Sequence, residues 1–120
     1  MSDTLISIYD TPTLVCALSG EPLTNERDAV QLIGDAMSDE ATLVVVPVPR
    51  LDPRFFELRS RVAGEIIQKF VNYGIRLAIL GDISEHLTGS AALRDFVDEA
   101  NRGTQFWFVT DLADLERHLA

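Results

Sequence analysis

Four of the ten basic side chains, Arg50, Arg54, Arg59 and Arg61, crowd into twelve consecutive residues of a chain whose formal charge is -9. A guanidinium offers a planar fork of donors that matches carboxylate and phosphate oxygens. A local basic patch in an acidic protein could hold a small anion or an acidic segment of a partner. The plainer alternative is that these arginines pair with Glu57, Glu65 and other nearby acids on a solvated surface.

Arg59 stands apart from the other three. The stretch "LDPRFFELRSRVAGEIIQKFVNYG", Leu51 to Gly74, reads as one long amphipathic helix. At about 100° per residue, Phe55, Val62, Ile66 and Tyr73 fall within about 40° of one another, and Phe70, Ala63, Phe56 and Ile67 widen the stripe to roughly 140°. Arg59 projects at about 60°, inside that apolar stripe. Three arrangements account for it. Pro49 and Pro53 could break off Leu51–Phe56 as a separate turn, so that the main helix begins near Glu57. Arg59 could lay its methylenes on the core and send its head outward. Or it could be half-buried beside an anion, because an unpaired buried charge costs several kcal/mol. Asp82 is the partner that the strand order suggests, either directly or through a bound anion, and Glu65 is a further candidate for work on an anionic substrate.

Other chemistry-bearing residues are scattered. Cys16 is the only cysteine and lies in the apolar run "LVCAL". It reads as a small buried hydrophobe, and a lone thiol points to a reducing cytoplasm. His86 and His118 are far apart in sequence and lack metal-ligand spacing. "LGDISEHLTG" lacks the lysine and spacing of a phosphate loop, so no cofactor and no metal are expected. The negative balance disfavours nucleic acid and anionic membranes as partners. No apolar run reaches the roughly 20 residues of a membrane span, and "MSDTLISIYD" lacks the pattern of a secretory signal.

These groups must be positioned by a single domain of 120 residues, of which 47% are hydrophobic. "TLISIYD" alternates as a half-exposed or edge strand. "DTPT" is expected as a turn, and "TLVCAL" as a second, buried strand paired antiparallel with the first. Thr24 or Asn25 should cap a helix whose core face is Val30, Ile33, Ala36 and Met37. "ATLVVVPV" is a third strand with Pro47 at its end. The long helix should stop at Gly74. "IRLAILG" is a fourth strand. Ser90 starts a helix that ends before Gly103, "QFWFVT" is a fifth strand, and Thr110 or Asp111 caps a last helix. The order ββαβαβαβα means crossovers and a mainly parallel five-stranded sheet, with an antiparallel first strand and helices on both faces. Val44, Val46, Leu77, Ile79, Ile66 and Phe70 are expected in the core. The edge at the strand carboxyl ends should gather Pro49-Arg50, Gly81-Asp82 and Thr110-Asp111, beside the start of the long helix.

This order, with "LSGEPL" before the first helix, resembles the STAS fold of sulphate transporters and anti-sigma-factor antagonists. The segments "FFELRSRVAGEIIQKF", "LAILGD" and "FVDEANRG" are similar to a bacterial family, the domain of unknown function numbered 4180. The STAS resemblance implies a non-enzymatic regulatory or protein-interaction module with an unidentified protein partner. In the antagonists a phosphorylatable serine sits in an Asp-Ser-Ser-Gly-like turn before the central helix. Here that position falls near Glu57, which already carries a negative charge, and Ser60 lies close by without that turn's neighbours. The candidate ligand-binding set is therefore Arg59, Asp82, Glu57, Ser60 and Glu65. The alternative function is a small-anion binder, or an enzyme on an anionic substrate, built around Arg59 and Asp82. A homodimer is open to either reading.

Overall fold

The computed structural model describes residues 3–120. Five strands, β1 (Thr4–Ile8), β2 (Thr11–Val15), β3 (Leu43–Pro47), β4 (Arg76–Leu80) and β5 (Phe106–Val109), form one sheet in sequential order. β1 pairs antiparallel with β2, and every later pair is parallel. The helices are α1 (Glu26–Ser38), α2 (Val62–Tyr73), the single turn α3 (Ser84–Leu87), α4 (Ala91–Arg102) and α5 (Leu112–Leu119).

Alternation along the strands divides the core into two layers. Leu14, Val44, Val46, Leu77, Ile79, Phe106 and Phe108 meet α1, α2 and α4 on one face. Leu43, Val45, Ala78, Trp107 and Val109 face the other way and are covered by Leu115 of α5. Sequential strand order puts the three crossover helices on the same side, and only the terminal helix is left for the opposite face. The six expected core residues, Val44, Val46, Leu77, Ile79, Ile66 and Phe70, are all buried. Among the described residues no helix is long and apolar enough to cross a membrane.

Four local expectations are corrected. The hairpin turn is Tyr9-Asp10, not Asp10–Thr13; both residues have positive φ, 46° and 61°, which suits the twist of a tight two-residue turn. Pro12 lies inside β2, opposite Ser7. The core face of α1 is Ala29, Ile33 and Ala36, one residue round from the expected stripe, while Val30 and Met37 are 39% and 53% exposed. Two alanines give α1 a flat contact surface and turn its larger residues outward. Tyr73, expected in the α2 stripe, is half exposed in the last turn before Gly74, whose φ of 70° ends the helix. Lastly, the long helix does not begin at Leu51 or Glu57 but at Val62. Three 3₁₀ turns, Val48–Arg50, Pro53–Phe56 and Leu58–Ser60, precede it.

Candidate functional site

The segment from Val48 to Arg61 leaves the carboxyl end of β3 and descends in these three turns to α2. Pro49 and Pro53 each occupy the start of a turn, where a missing N–H costs nothing. Arg50 locks the top. Its Nη1 donates to Ala17 O at 2.9 Å and its Nε to Glu21 O at 3.0 Å. The guanidinium lies flat on Gly20, where a Cβ would come within 3.0 Å of Cζ. Leu23 and Leu51 add a parallel bridge, with Leu23 N donating to Arg50 O at 2.7 Å. Arg50 is therefore a clasp between two loops, not the solvated ion pair of the plainer expectation.

Asp52 caps the second turn through Arg54 N and holds the Arg54 side chain at 3.1 Å and 3.0 Å. These bonds, the side-chain ones first, keep the Asp52 carboxyl below its ordinary range. Phe55 and Phe56 are buried and fasten the turn to the sheet. Phe55 packs 6.5 Å from Phe106 and 6.4 Å from Phe108, and Phe56 stacks on His86 at 4.0 Å. Ser60 closes the ladder: its Oγ donates to Arg54 O at 2.7 Å and accepts from Val62 N at 3.2 Å. Arg61 then takes a left-handed conformation, φ 65°, without being glycine. A non-glycine residue there carries strain that the surrounding bonds must hold.

The result is a ledge. Leu58, half-buried, separates two open hollows. One, of about 550 Å³, is lined by Phe56, Glu57, Leu58, Arg59, Ser90 and Ala92. The other, of about 640 Å³, includes Leu58, Arg61, Gly64, Glu65, Lys69 and Phe96. Arg59 and Arg61 are exposed on either side of Leu58, and neither forms an ion pair among the described residues.

The structure thus groups four of the five expected site residues on or beside one ledge: Arg59, Glu57 and Ser60 on the turns, and Glu65 in the adjoining hollow. Asp82 is not with them. Its Oδ1 accepts from Ser84 N at 2.9 Å, which starts α3 and holds its carboxyl below the ordinary range. No Arg59–Asp82 ion pair forms, and none is required, because Arg59 stands in a turn rather than in the apolar stripe. Arg61 belongs to the basic cluster that the sequence shows, but its left-handed backbone, like the roles of Leu58 and Phe96, does not follow from the sequence. Leu58 alone had a signal: an apolar residue between two arginines in a proline-broken segment.

A smaller cavity of about 170 Å³ lies on the other side of Arg50, lined by Asp3, Cys16, Leu23, Asp35 and Val46 among others. Burial pushes the Cys16 thiol up to about 12, the Asp3 carboxylate adds to this, and Arg50 opposes it. Cys16 is therefore a protonated, unreactive thiol at neutral pH. His118 stacks on Trp107 at 5.2 Å, on the opposite face of the sheet.

The family model for the domain of unknown function DUF4180 matches residues 9–119, nearly the whole chain, and the protein belongs to that family. Neither the curated proteins nor the solved structures give a significant match.

Proposed function

We propose that this DUF4180 member is a non-enzymatic regulatory module that holds an acidic segment of a partner protein on the Leu58 ledge. The observation that carries the reading is the pair of exposed arginines, Arg59 and Arg61, without an ion pair among the described residues and set on either side of an apolar residue between two hollows. Leu58 supplies an apolar anchor point. Arg59 and Arg61 supply bidentate donors for carboxylates. Glu57 and Glu65 border the two hollows and reject a segment whose acids fall out of register. The rigid clasp at Arg50 and the Ser60 bonds present these groups in one geometry, which lowers the ordering cost of binding. The protonated Cys16 and the stacked rings of His86 and His118 support binding over nucleophilic chemistry. The resemblance to antagonist domains supports a regulatory role, and the lone reduced thiol supports the cytoplasm as its place.

A second reading has its own support. Arg59 and the first turn of α4, with Ser90 and Ala92, line one hollow, which suits a small phosphate or carboxylate compound. Titration of the protein with acidic peptides containing leucine, followed by fluorescence anisotropy, separates the two. The peptide reading expects saturable binding that weakens with salt and falls by about tenfold or more in Arg59→Glu/Arg61→Glu. Inorganic phosphate should then leave the melting temperature unchanged. Phosphate stabilisation that disappears in Arg59→Met, without peptide binding, replaces the first reading by the second. Random-sequence duplex DNA serves as the control polyanion and should not bind at physiological salt.

A further inference from the structure

The two edges of the sheet differ in what their main-chain groups meet. At β5 the N–H of Phe108 points away from the sheet and donates to Asn101 Oδ1 at 2.8 Å. That side chain occupies a position which an added strand would need. At β1 nothing comparable occurs among the described residues. Ser7 lies opposite Pro12, which has no N–H, so this pair cannot be one that exchanges hydrogen bonds. The bonded pairs are then Thr4–Val15, Ile6–Thr13 and Ile8–Thr11, and the N–H and C=O groups of Leu5 and Ser7 point outward. Among the described residues no bond to a third segment uses them.

Open edges are ordinarily blunted by lysine, proline, a bulge or a covering loop. β1, "TLISI", has none of these and carries no charge, in a chain with a net charge of -9. Leu5 is 50% exposed and Ile6 half-buried. Such an edge is shaped for another extended strand.

We infer that β1 is a self-association edge, where a second copy of this chain adds its own β1 antiparallel and joins two five-stranded sheets into one. The strand is self-complementary about a two-fold axis at Ile6. In that register Leu5 of each copy faces Ser7 of the other, and the outward groups of both residues are paired in four main-chain bonds. Ile6 meets its own copy on the α5 side of the sheet, where it already packs beside Ile8 and Val15. Asp3 falls opposite Tyr9, so no carboxylate confronts another across the seam. The repulsion between two acidic chains acts from a distance and is screened by salt. Association should therefore tighten as salt rises, the reverse of the ledge. This inference stands independently of the function proposed for the ledge.

Sedimentation analysis of the whole chain over a concentration series, with amide exchange on the same samples, tests it. The expected result is a monomer–dimer equilibrium. The Leu5 and Ser7 amides should gain protection in step with dimer formation, while Ile6 and Ile8 stay protected throughout. Ser7→Pro removes an outward N–H from each copy and should raise the dimer Kd by roughly tenfold or more. Leu5→Lys should weaken the dimer through a surface position that leaves the fold intact. Arg59→Glu/Arg61→Glu should leave the dimer unchanged, so the two sites fail separately. A monomer at every concentration, or a dimer without added protection at Leu5 and Ser7, overturns the inference. So does a pure chain that stays monomeric and takes only a foreign strand on β1.

Discussion

The edge at β5 and the edge at β1 belong to one sheet but are built oppositely. β5 is short and anchored on both faces. Phe106 and Phe108 sit in the aromatic cluster under Phe55 and Phe96. Trp107 is 2% exposed on the other face, donates to Gly103 O at 2.8 Å, and lies under the Arg76 guanidinium. β1 is held by the β2 ladder and by one tie from its start, Asp3 Oδ1 to Ala17 N at 2.9 Å. Order at β5 is supplied from within the chain. β1 leaves main-chain groups for something outside it.

The largest contrast should appear on truncation. Trp107→Ala removes a buried ring and its hydrogen bond, with an expected cost of about 3–5 kcal/mol. Leu5→Ala, at the open edge, should stay within about 0.5 kcal/mol in dilute solution. Denaturant titrations of both variants check this, and similar midpoints for the two would erase the distinction between the edges.

Cys16, just past β2, reports on the β1 side. With its pKa near 12, its thiolate fraction at pH 8 is lower than that of an ordinary thiol by about a thousandfold. Labelling by a thiol reagent should be far slower than in the denatured chain, because burial both withholds the thiolate and blocks the reagent. If labelling outpaces global unfolding, β1 and its Asp3 tie are opening locally, and dimer formation should slow it further.

Asn101 offers a smaller perturbation at the closed edge. Asn101→Ala leaves the Phe108 N–H without its partner and should cost about 1–3 kcal/mol. Asn101→Asp keeps an acceptor and should recover most of the loss. Amide exchange at Phe108 distinguishes the two variants.

What could be read before folding follows the same divide between local and tertiary causes. The triple valine, Gly74 as a left-handed stop and Ser90 as a cap act within a few residues, and each stands where expected. The ledge does not work that way. "LDPRFFELRSRV" keeps a helical apolar period, but Phe55 and Phe56 use it from a 3₁₀ turn against β5, and Ser60 closes the ladder with bonds to Arg54 O and Val62 N. Arg61 in a left-handed conformation has no signature in the sequence. From the sequence alone the ring of Pro12 suits a turn. In β2 the same residue lies opposite Ser7, in a pair that exchanges no bonds with β1, and Tyr9-Asp10 make the turn although neither is glycine. Arg59 looked misplaced only on the premise of an unbroken helix.

The smallest expected effect compares the helix caps behind the two edges. Asp28 at the start of α1, which follows the β1–β2 hairpin, accepts from Thr24 Oγ1 at 2.6 Å and from Thr24 N at 2.9 Å. Its carboxyl is held below the ordinary range, chiefly by that hydroxyl. Asp114 at the start of α5, which follows β5, accepts from Thr110 N at 3.0 Å, while its hydroxyl contact is 3.5 Å. Its carboxyl is also held low, chiefly by the backbone N–H. In both cases the folded state binds the proton more weakly than the unfolded chain. The stabilisation is therefore fully present above the ordinary carboxylate range near pH 4, and is lost as pH falls through the lower folded value. Thr24→Val deletes the main bond to Asp28 and should cost about 1 kcal/mol near neutrality. Its deficit should shrink in acid, since protonation removes the same interaction from the parent. Thr110→Val deletes only a long contact and should cost a few tenths of a kcal/mol, leaving the acid dependence of α5 in place. Thermal melts of both variants from pH 7 down to pH 3 resolve the two cases. Equal deficits that do not change with pH would mean that these carboxylates fill space at the two caps without stabilising them through charge.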